Sequence, residues 1–175
     1  MNLVLWRHAE AADGAPDLER ELTARGRKQA ARVGGWLRSH LPAGFKVIAS
    51  PAARACQTAE ALDPAFALDD RLAPWRDAKD YLIVAGWPPA GKAAGKADRS
   101  AGGKAAGNAD DNADDSRCVV LVGHQPVIGW VASTLLTGGP IGWSVKKGAA
   151  WWLHTRIRDG QREVVLRTVL NPDML

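Results

Sequence analysis

Short apolar, β-prone runs alternate with amphipathic helical stretches along most of this sequence. The runs with strand character are residues 2–7, 45–49, 118–122, 149–157 and 163–170. The first three are each followed by a turn or capping signal and then a helical pattern, whereas the last two flank the turn at 158–161 and indicate a hairpin. This order predicts an α/β fold, a three-layer αβα sandwich around a mostly parallel central sheet.

The helices are predicted from capping residues and from the spacing of apolar positions. Thr23 is expected to cap a helix of about 17 residues. Ser50-Pro51 indicates a second helix, with the serine as its cap and the proline at its first helical position. Residues 127–137 predict a third long helix and residues 77–87 a short one, while residues 66–76 show no regular pattern.

One segment differs in composition from everything around it. Residues 88–117 contain no Val, Ile, Leu or aromatic residue and consist mainly of Ala, Gly, Lys and Asp. Such a segment cannot bury enough apolar area to offset the entropy lost on ordering. We therefore expect residues 1–175 to form a single domain with a disordered, low-complexity surface insertion at 88–117. The alternative is that this segment is an arm that docks onto a partner.

Composition and charge exclude several classes of protein. The chain has 175 residues and a net charge of +4, and its Lys and Arg residues are scattered, so nucleic-acid binding is not indicated. No apolar run is long enough for a membrane span or a secretory signal peptide. Cys56 and Cys118 form no CxxC pair, and two reduced thiols in a cytoplasmic enzyme are the expectation.

Charged and polar side chains follow three of the predicted strands. Arg7 and His8 end the first strand, Arg54 follows the second, and His124 follows the third. In open α/β sheets ligands bind beyond the carboxyl ends of the strands, so these groups would meet if the three strands are neighbours. Two arginines can hold phosphoryl oxygens, a neutral imidazole can attack phosphorus, and a second, protonated imidazole can stabilise the developing charge. No metal or other cofactor is needed for this chemistry.

Three motifs in this order resemble those of the histidine phosphatase (phosphoglycerate mutase-like) superfamily. LVLWRHAEA is similar to its RHG signature with Ala9 in place of glycine, SPAARACQTAEAL to its second motif, and VGHQP to the segment with its second histidine. The resemblance implies that His8 is the phosphorylated nucleophile and that Arg7 and Arg54 bind the phosphoryl oxygens. It further implies that His124 contacts the same group, while Arg20 either reaches the pocket or lies in solvent.

The stretch after the second motif distinguishes branches of the superfamily. Mutases carry RLNER there, whereas this chain has RLAPW, with Pro74 where the acidic residue would lie. Loss of a proton donor should impair P–O ester cleavage more than P–N cleavage, because an alkoxide is far more basic than an imidazole nitrogen. The small size, RHAEA and LDDRLAP resemble the SixA-like phosphohistidine phosphatases, which implies a phosphorylated partner protein such as a histidine phosphotransfer domain.

Alternatives remain open at this stage. A small-molecule phosphomonoesterase would need an acid, and the candidates are Glu10, Asp17, Asp69, Asp70, Asp77 and Asp80. A mutase is disfavoured by Pro74. Two non-enzymatic possibilities are a phosphate-binding module and a basic scaffold that uses the 88–117 segment. His40 and His154 are expected to be structural, and neither has metal-ligand spacing with His8 or His124.

Overall fold

The computed structural model describes residues 1–87, 117–158 and 161–175. The strands are β1 (Asn2–Arg7), β2 (Lys46–Ala49), β3 (Ala67–Leu68), β4 (Cys118–Gly123), β5 (Ala150–Arg158) and β6 (Gln161–Leu170). The helices are α1 (Ala24–His40), α2 (Ala53–Glu60), α3 (Ala78–Ala85) and α4 (Val127–Thr137). Short 3-10 helices lie at Asp17–Glu19, Asp70–Leu72 and Pro172–Met174. The expected insertion lies outside the described residues, except for Arg117.

The six strands form one sheet in the order β3-β2-β4-β1-β5-β6. The first four in this order pair in parallel, and β5 and β6 pair antiparallel. β1 and β4 are aligned so that Arg7 lies opposite Gly123. The carboxyl ends of β1, β4 and β2 therefore lie side by side, which is the condition for the charged residues that follow these strands to meet.

Helices cover both faces of the sheet. α1 packs against α2 on one face, and α3 packs against α4 on the other. Alternate residues of β1 serve the two cores: Leu3 and Leu5 face α3 and α4, whereas Val4 and Trp6 face α1 and α2. Both faces of this strand are buried, as expected for a central parallel strand with helices on each side. The predicted αβα sandwich is confirmed.

The predicted helix boundaries agree with the structure except at the second helix. Thr23 caps α1 as expected, its side chain accepting from the Gly26 N–H. The Ser50-Pro51 prediction was wrong: α2 begins at Ala53, and extended Ala52 is its N-cap residue. The Ser50 hydroxyl is instead 2.8 Å from a ring nitrogen of His124 and weakly accepts from the Ala52 N–H, so it is not available to cap the helix.

Two other regions contain more structure than their sequence suggested. Residues 66–76, for which no pattern was visible, contain the two-residue strand β3 and a 3-10 helix capped by the Asp69 side chain. The loop at residues 9–22 packs closely against the start of α1. A Cβ atom at Gly26 would lie 1.9 Å from the Glu10 carbonyl oxygen. Only glycine permits this close approach. Within the described residues, no helix combines the length and apolar character needed to cross a membrane.

Candidate active site

His8 follows β1 and is held by backbone hydrogen bonds on both sides. Its N–H donates to the Gly123 carbonyl and its own carbonyl accepts from the Gly148 N–H, both at 3.0 Å. The Nδ1 atom lies 2.7 Å from the Ala9 carbonyl oxygen. Because a carbonyl oxygen only accepts, Nδ1 carries the proton and Nε2 carries the lone pair. Burial, aided by the charge of Arg54, lowers the pKa of His8 to about 4, so the ring is neutral near pH 7.

Arg7, the last residue of β1, extends toward the loop before β5. Its Nη1 donates to the Val145 carbonyl oxygen at 2.6 Å. Its Nε is buried and has no hydrogen-bond partner among the described residues. Burial lowers the pKa of this guanidinium, and the charge of Arg7 in turn contributes to the lowered pKa of His8. Arg7 therefore contributes a cation that acts on the His8 ring, and it holds one buried donor without a partner among the described residues.

Arg54 is buried in the first turn of α2 and is tied to the loop that follows β1. Its Nη1 donates to the Asp17 carbonyl oxygen at 2.5 Å and its Nη2 to the Asp17 carboxylate at 2.8 Å. The other oxygen of that carboxylate accepts from Arg20 at 2.9 Å. Arg20 thus reaches the rim of the site, where it is partly exposed and bridged to Arg54 through Asp17.

His124 follows β4, and its ring faces that of His8. The two ring centroids are 5.1 Å apart and the planes are inclined by 54°. The Nε2 atom lies 2.8 Å from the Ser50 hydroxyl, whereas Nδ1 is buried without a partner among the described residues. Burial, followed by repulsion from His8 and Arg54, lowers the pKa of His124 to about 2. The lowered pKa favours a neutral second imidazole over the protonated one expected from the sequence, because burial and the neighbouring arginines disfavour a charge on this ring.

Tyr81 of α3 holds the backbone that carries His124. Its buried hydroxyl accepts from the His124 N–H at 3.1 Å and donates to the Leu72 carbonyl at 2.9 Å. A Cβ atom at Gly123 would lie 2.2 Å from this hydroxyl, so the glycine lets the tyrosine approach. The contribution of Tyr81 was not predicted from the sequence, and no local pattern reveals it, because the contact joins residues that are 43 positions apart.

Of the carboxylates considered as acids, Asp17 is the one that contacts a site arginine in the described part of the chain. The hydrogen bond from Arg54, followed by that from Arg20, holds the pKa of Asp17 below its usual value. Asp69 pairs with Arg71, and Asp77 caps α3. Glu10 accepts from the Thr23 hydroxyl at the start of α1. The remaining two candidates, Asp70 and Asp80, lie in the adjoining 3-10 helix and in α3.

Part of this site lies in a segment of the chain that matches a known family. Residues 3–78, which include the first three of its four central side chains, match the family model described as histidine phosphatase superfamily, branch 1. This amino-terminal part of the chain is therefore similar to the histidine phosphatase superfamily. The fourth side chain, His124, lies beyond the matched segment, and its ring centroid is 5.1 Å from that of His8.

Solved structures of similar fold cover nearly the whole chain. The candidate phosphohistidine phosphatase SixA from Nakamurella multipartitia is 27% identical, with a TM-score of 0.68 over 98% of this chain and 95% of that one. The protein histidine phosphatase SixA complexed with tungstate is 20% identical, with a TM-score of 0.68 over 99% of each chain. A mycobacterial glucosyl-3-phosphoglycerate phosphatase complexed with VO3 is 19% identical, with a TM-score of 0.61 over 95% and 97%.

Curated relatives match only a part of the chain. Two proteins of Mycobacterium tuberculosis, both described as uncharacterized, are 50% identical over 54 residues. The match covers 30% of this chain and 34% of each relative, so this chain spans about a third of the length of the curated relatives it matches.

Proposed function

We propose that this protein is a histidine phosphatase that removes the phosphoryl group from a phosphorylated histidine on a partner protein. Nε2 of His8 attacks phosphorus, the P–N bond of the substrate breaks, and the departing imidazole keeps the electron pair of that bond. Water then attacks the phosphorylated His8, which releases inorganic phosphate and regenerates the neutral ring. The protonated Nδ1 of His8, bound to the Ala9 carbonyl, supports the assignment of Nε2 as the nucleophile.

The remaining site residues bind the transferred group. Arg7 and Arg54 supply cationic N–H donors to the phosphoryl oxygens, and His124, whose ring lies next to that of His8, supplies a neutral donor. Arg20 completes the rim of the pocket through the carboxylate of Asp17. The buried, unpaired Arg7 Nε and His124 Nδ1 support these roles, because a buried donor without an acceptor is costly and phosphoryl oxygens are acceptors.

The observation that carries the choice of substrate is the pairing of Asp17 with two arginines. An alkoxide leaving group needs a proton donor, and the carboxyl group at this pocket is held in its ionised form, which only accepts. A phosphorylated imidazole can leave as a neutral ring when its other nitrogen already carries a proton. A site without a protonated carboxyl group therefore favours P–N cleavage over P–O cleavage.

The proposed class of partner is supported by the structural likeness to SixA proteins, whose names specify phosphohistidine and protein histidine as substrates. A histidine phosphotransfer domain in a cytoplasmic signalling relay is the partner that we propose. The second candidate substrate is a small phosphate ester, because a glucosyl-3-phosphoglycerate phosphatase has the same fold. A pocket that binds phosphate without cleaving it is the third.

The deciding experiment compares substrates for wild-type protein and for His8→Ala in metal-free buffer. The substrates are a phosphorylated histidine phosphotransfer domain, free phosphoimidazole, an aryl phosphate and a sugar phosphate. We expect kcat/KM to be largest for the phosphorylated domain, and all turnover to vanish in His8→Ala. Faster cleavage of either ester would contradict the proposed substrate. Binding of tungstate without turnover of any substrate would contradict the proposed enzyme.

A further inference from the structure

Ser50 occupies a buried position between β2 and α2 that the reaction described above does not use. Its side chain is fully buried, and its hydroxyl oxygen lies 2.8 Å from Nε2 of His124. The same oxygen accepts a weaker hydrogen bond from the Ala52 N–H at 3.3 Å. Ser50 is therefore joined to the second histidine of the pocket by a contact shielded from water.

The donors and acceptors around Ser50 determine which ring nitrogen of His124 carries the proton. A hydroxyl has one hydrogen to donate, and in the described part of the chain His124 Nε2 is the acceptor found for it. A proton on Nε2 would leave the hydroxyl hydrogen buried without an acceptor, which is unfavourable. The hydroxyl therefore donates to Nε2, and the proton of the neutral ring lies on Nδ1.

The Nδ1 atom of His124 has an environment that complements this arrangement. It is buried without a partner among the described residues, on a ring whose centroid is 5.1 Å from that of His8. The Tyr81 hydroxyl holds the backbone of the same residue, so both the main chain and the ring of His124 are fixed. A fixed ring with one end anchored leaves the Nδ1–H as its free donor.

We propose that Ser50 is a positioning residue that fixes His124 as the Nδ1–H tautomer, so that this buried N–H donates to the transferred phosphoryl group. This proposal rests on the proposed phosphoryl transfer. A neutral donor adds no third positive charge beside Arg7 and Arg54, and it stays protonated through both attack on the substrate and hydrolysis of phosphorylated His8. The two rings are then the same tautomer but have different roles. His8 attacks phosphorus with its unprotonated Nε2, and His124 donates a hydrogen bond to the phosphoryl group from its Nδ1–H.

The first test reads the tautomer directly by long-range ¹H–¹⁵N NMR of the imidazole rings at neutral pH, without any substrate. We expect the Nδ1–H form for His124 in wild-type protein and a mixture of tautomers in Ser50→Ala. Ser39→Ala is the matched control, because the Ser39 hydroxyl lies 2.9 Å from a ring nitrogen of exposed His40 and should leave His124 unchanged. An Nε2–H form in wild-type protein would overturn the proposal whether or not Ser50→Ala folds.

The second test connects the tautomer to the phosphoryl group. Titration with tungstate should shift the Nδ1–H resonance of His124, and a resonance that stays in place while that of His8 moves would refute the donor role. In turnover of phosphoimidazole, we expect Ser50→Ala to lower kcat about tenfold with a smaller change in KM, equivalent to one lost hydrogen bond in the transition state. Ser50→Thr, which keeps the hydroxyl, should restore most of kcat and the Nδ1–H form.

The outcomes separate this proposal from the proposed function. If no substrate is turned over but His124 carries the proton on Nδ1 and tungstate shifts it, the phosphatase proposal fails while the role of Ser50 in positioning an anion donor stands. If turnover is observed but Ser50→Ala changes neither kcat nor the tautomer, the role of Ser50 is refuted and the phosphatase proposal stands.

Discussion

Mild acid should destabilise this protein through its two pocket histidines. Burial lowers the pKa of His8 to about 4 and that of His124 to about 2, from an ordinary value of 6.5. Below 6.5 the unfolded chain therefore binds protons that the folded chain does not bind. The free energy of unfolding is at its full value above pH 6.5 and falls as the pH is lowered through the window between 6.5 and these folded values.

The size of the effect follows from the width of that window. At about pH 4.5 the pH is about two units below the pKa of the imidazoles in the unfolded chain. Each unit corresponds to about 1.4 kcal/mol. Each of the two histidines then costs roughly 2–3 kcal/mol, so the pair lowers the free energy of unfolding by roughly 5 kcal/mol. Asp17 and Asp69, whose pKa values lie below 3.8 in the folded state, lose their contribution only at lower pH.

Urea unfolding at about pH 7.5 and about pH 4.5 measures this difference. We expect His8→Gln to reduce the loss of stability on acidification by roughly 2–3 kcal/mol relative to wild-type protein. His40→Gln is the matched control, because His40 is exposed at the end of α1 and lies outside the pocket. An equal loss of stability in wild-type protein and His8→Gln would refute the reasoning, because it would mean that the His8 ring is not held neutral by the fold.

Three further predictions follow from single contacts. Tyr81→Phe leaves the buried His124 N–H without its acceptor and should lower the free energy of unfolding by about 2 kcal/mol in urea titrations, and an unchanged midpoint would contradict the contact. Arg54→Lys loses the planar fork and should lower kcat/KM at least about 100-fold in steady-state assays, whereas near-normal activity would exclude a phosphoryl clamp. Thr23→Ala removes the cap of α1 and should cost about 1 kcal/mol in thermal unfolding with activity retained, and a loss below a few tenths would contradict the cap.

The elements that local patterns encode could be predicted from the sequence. Buried strands read as short apolar runs, and Thr23 marks the start of α1, so the sandwich and the edge that carries the site followed from periodicity and topology rules. Ser50-Pro51 misled because the serine hydroxyl has a competing partner, His124, that is 74 positions away. Local capping rules cannot include such a contact.

The site divides in the same way between local and distant information. Arg7, His8, Arg54 and His124 follow strand ends, so their approach could be predicted once the strands were taken to be neighbours. The state of these groups could not, because it depends on burial and on contacts made only after folding. The neutral His124 ring is one example. A second is Asp17, which was one of six equivalent carboxylates in the sequence and is joined to two arginines in the structure.

The central claim is that the phosphoryl group passes through His8, and trapping the intermediate tests it most directly. Wild-type protein would be mixed with phosphoimidazole for milliseconds, quenched in base to preserve a phosphorus–nitrogen bond, and mapped by mass spectrometry. We predict an alkali-stable, acid-labile phosphoryl group on His8 that forms and decays at rates compatible with kcat, and that is absent in His8→Ala. Turnover with no phosphorylated His8 at any time, or with the label on His124, would contradict the proposed mechanism.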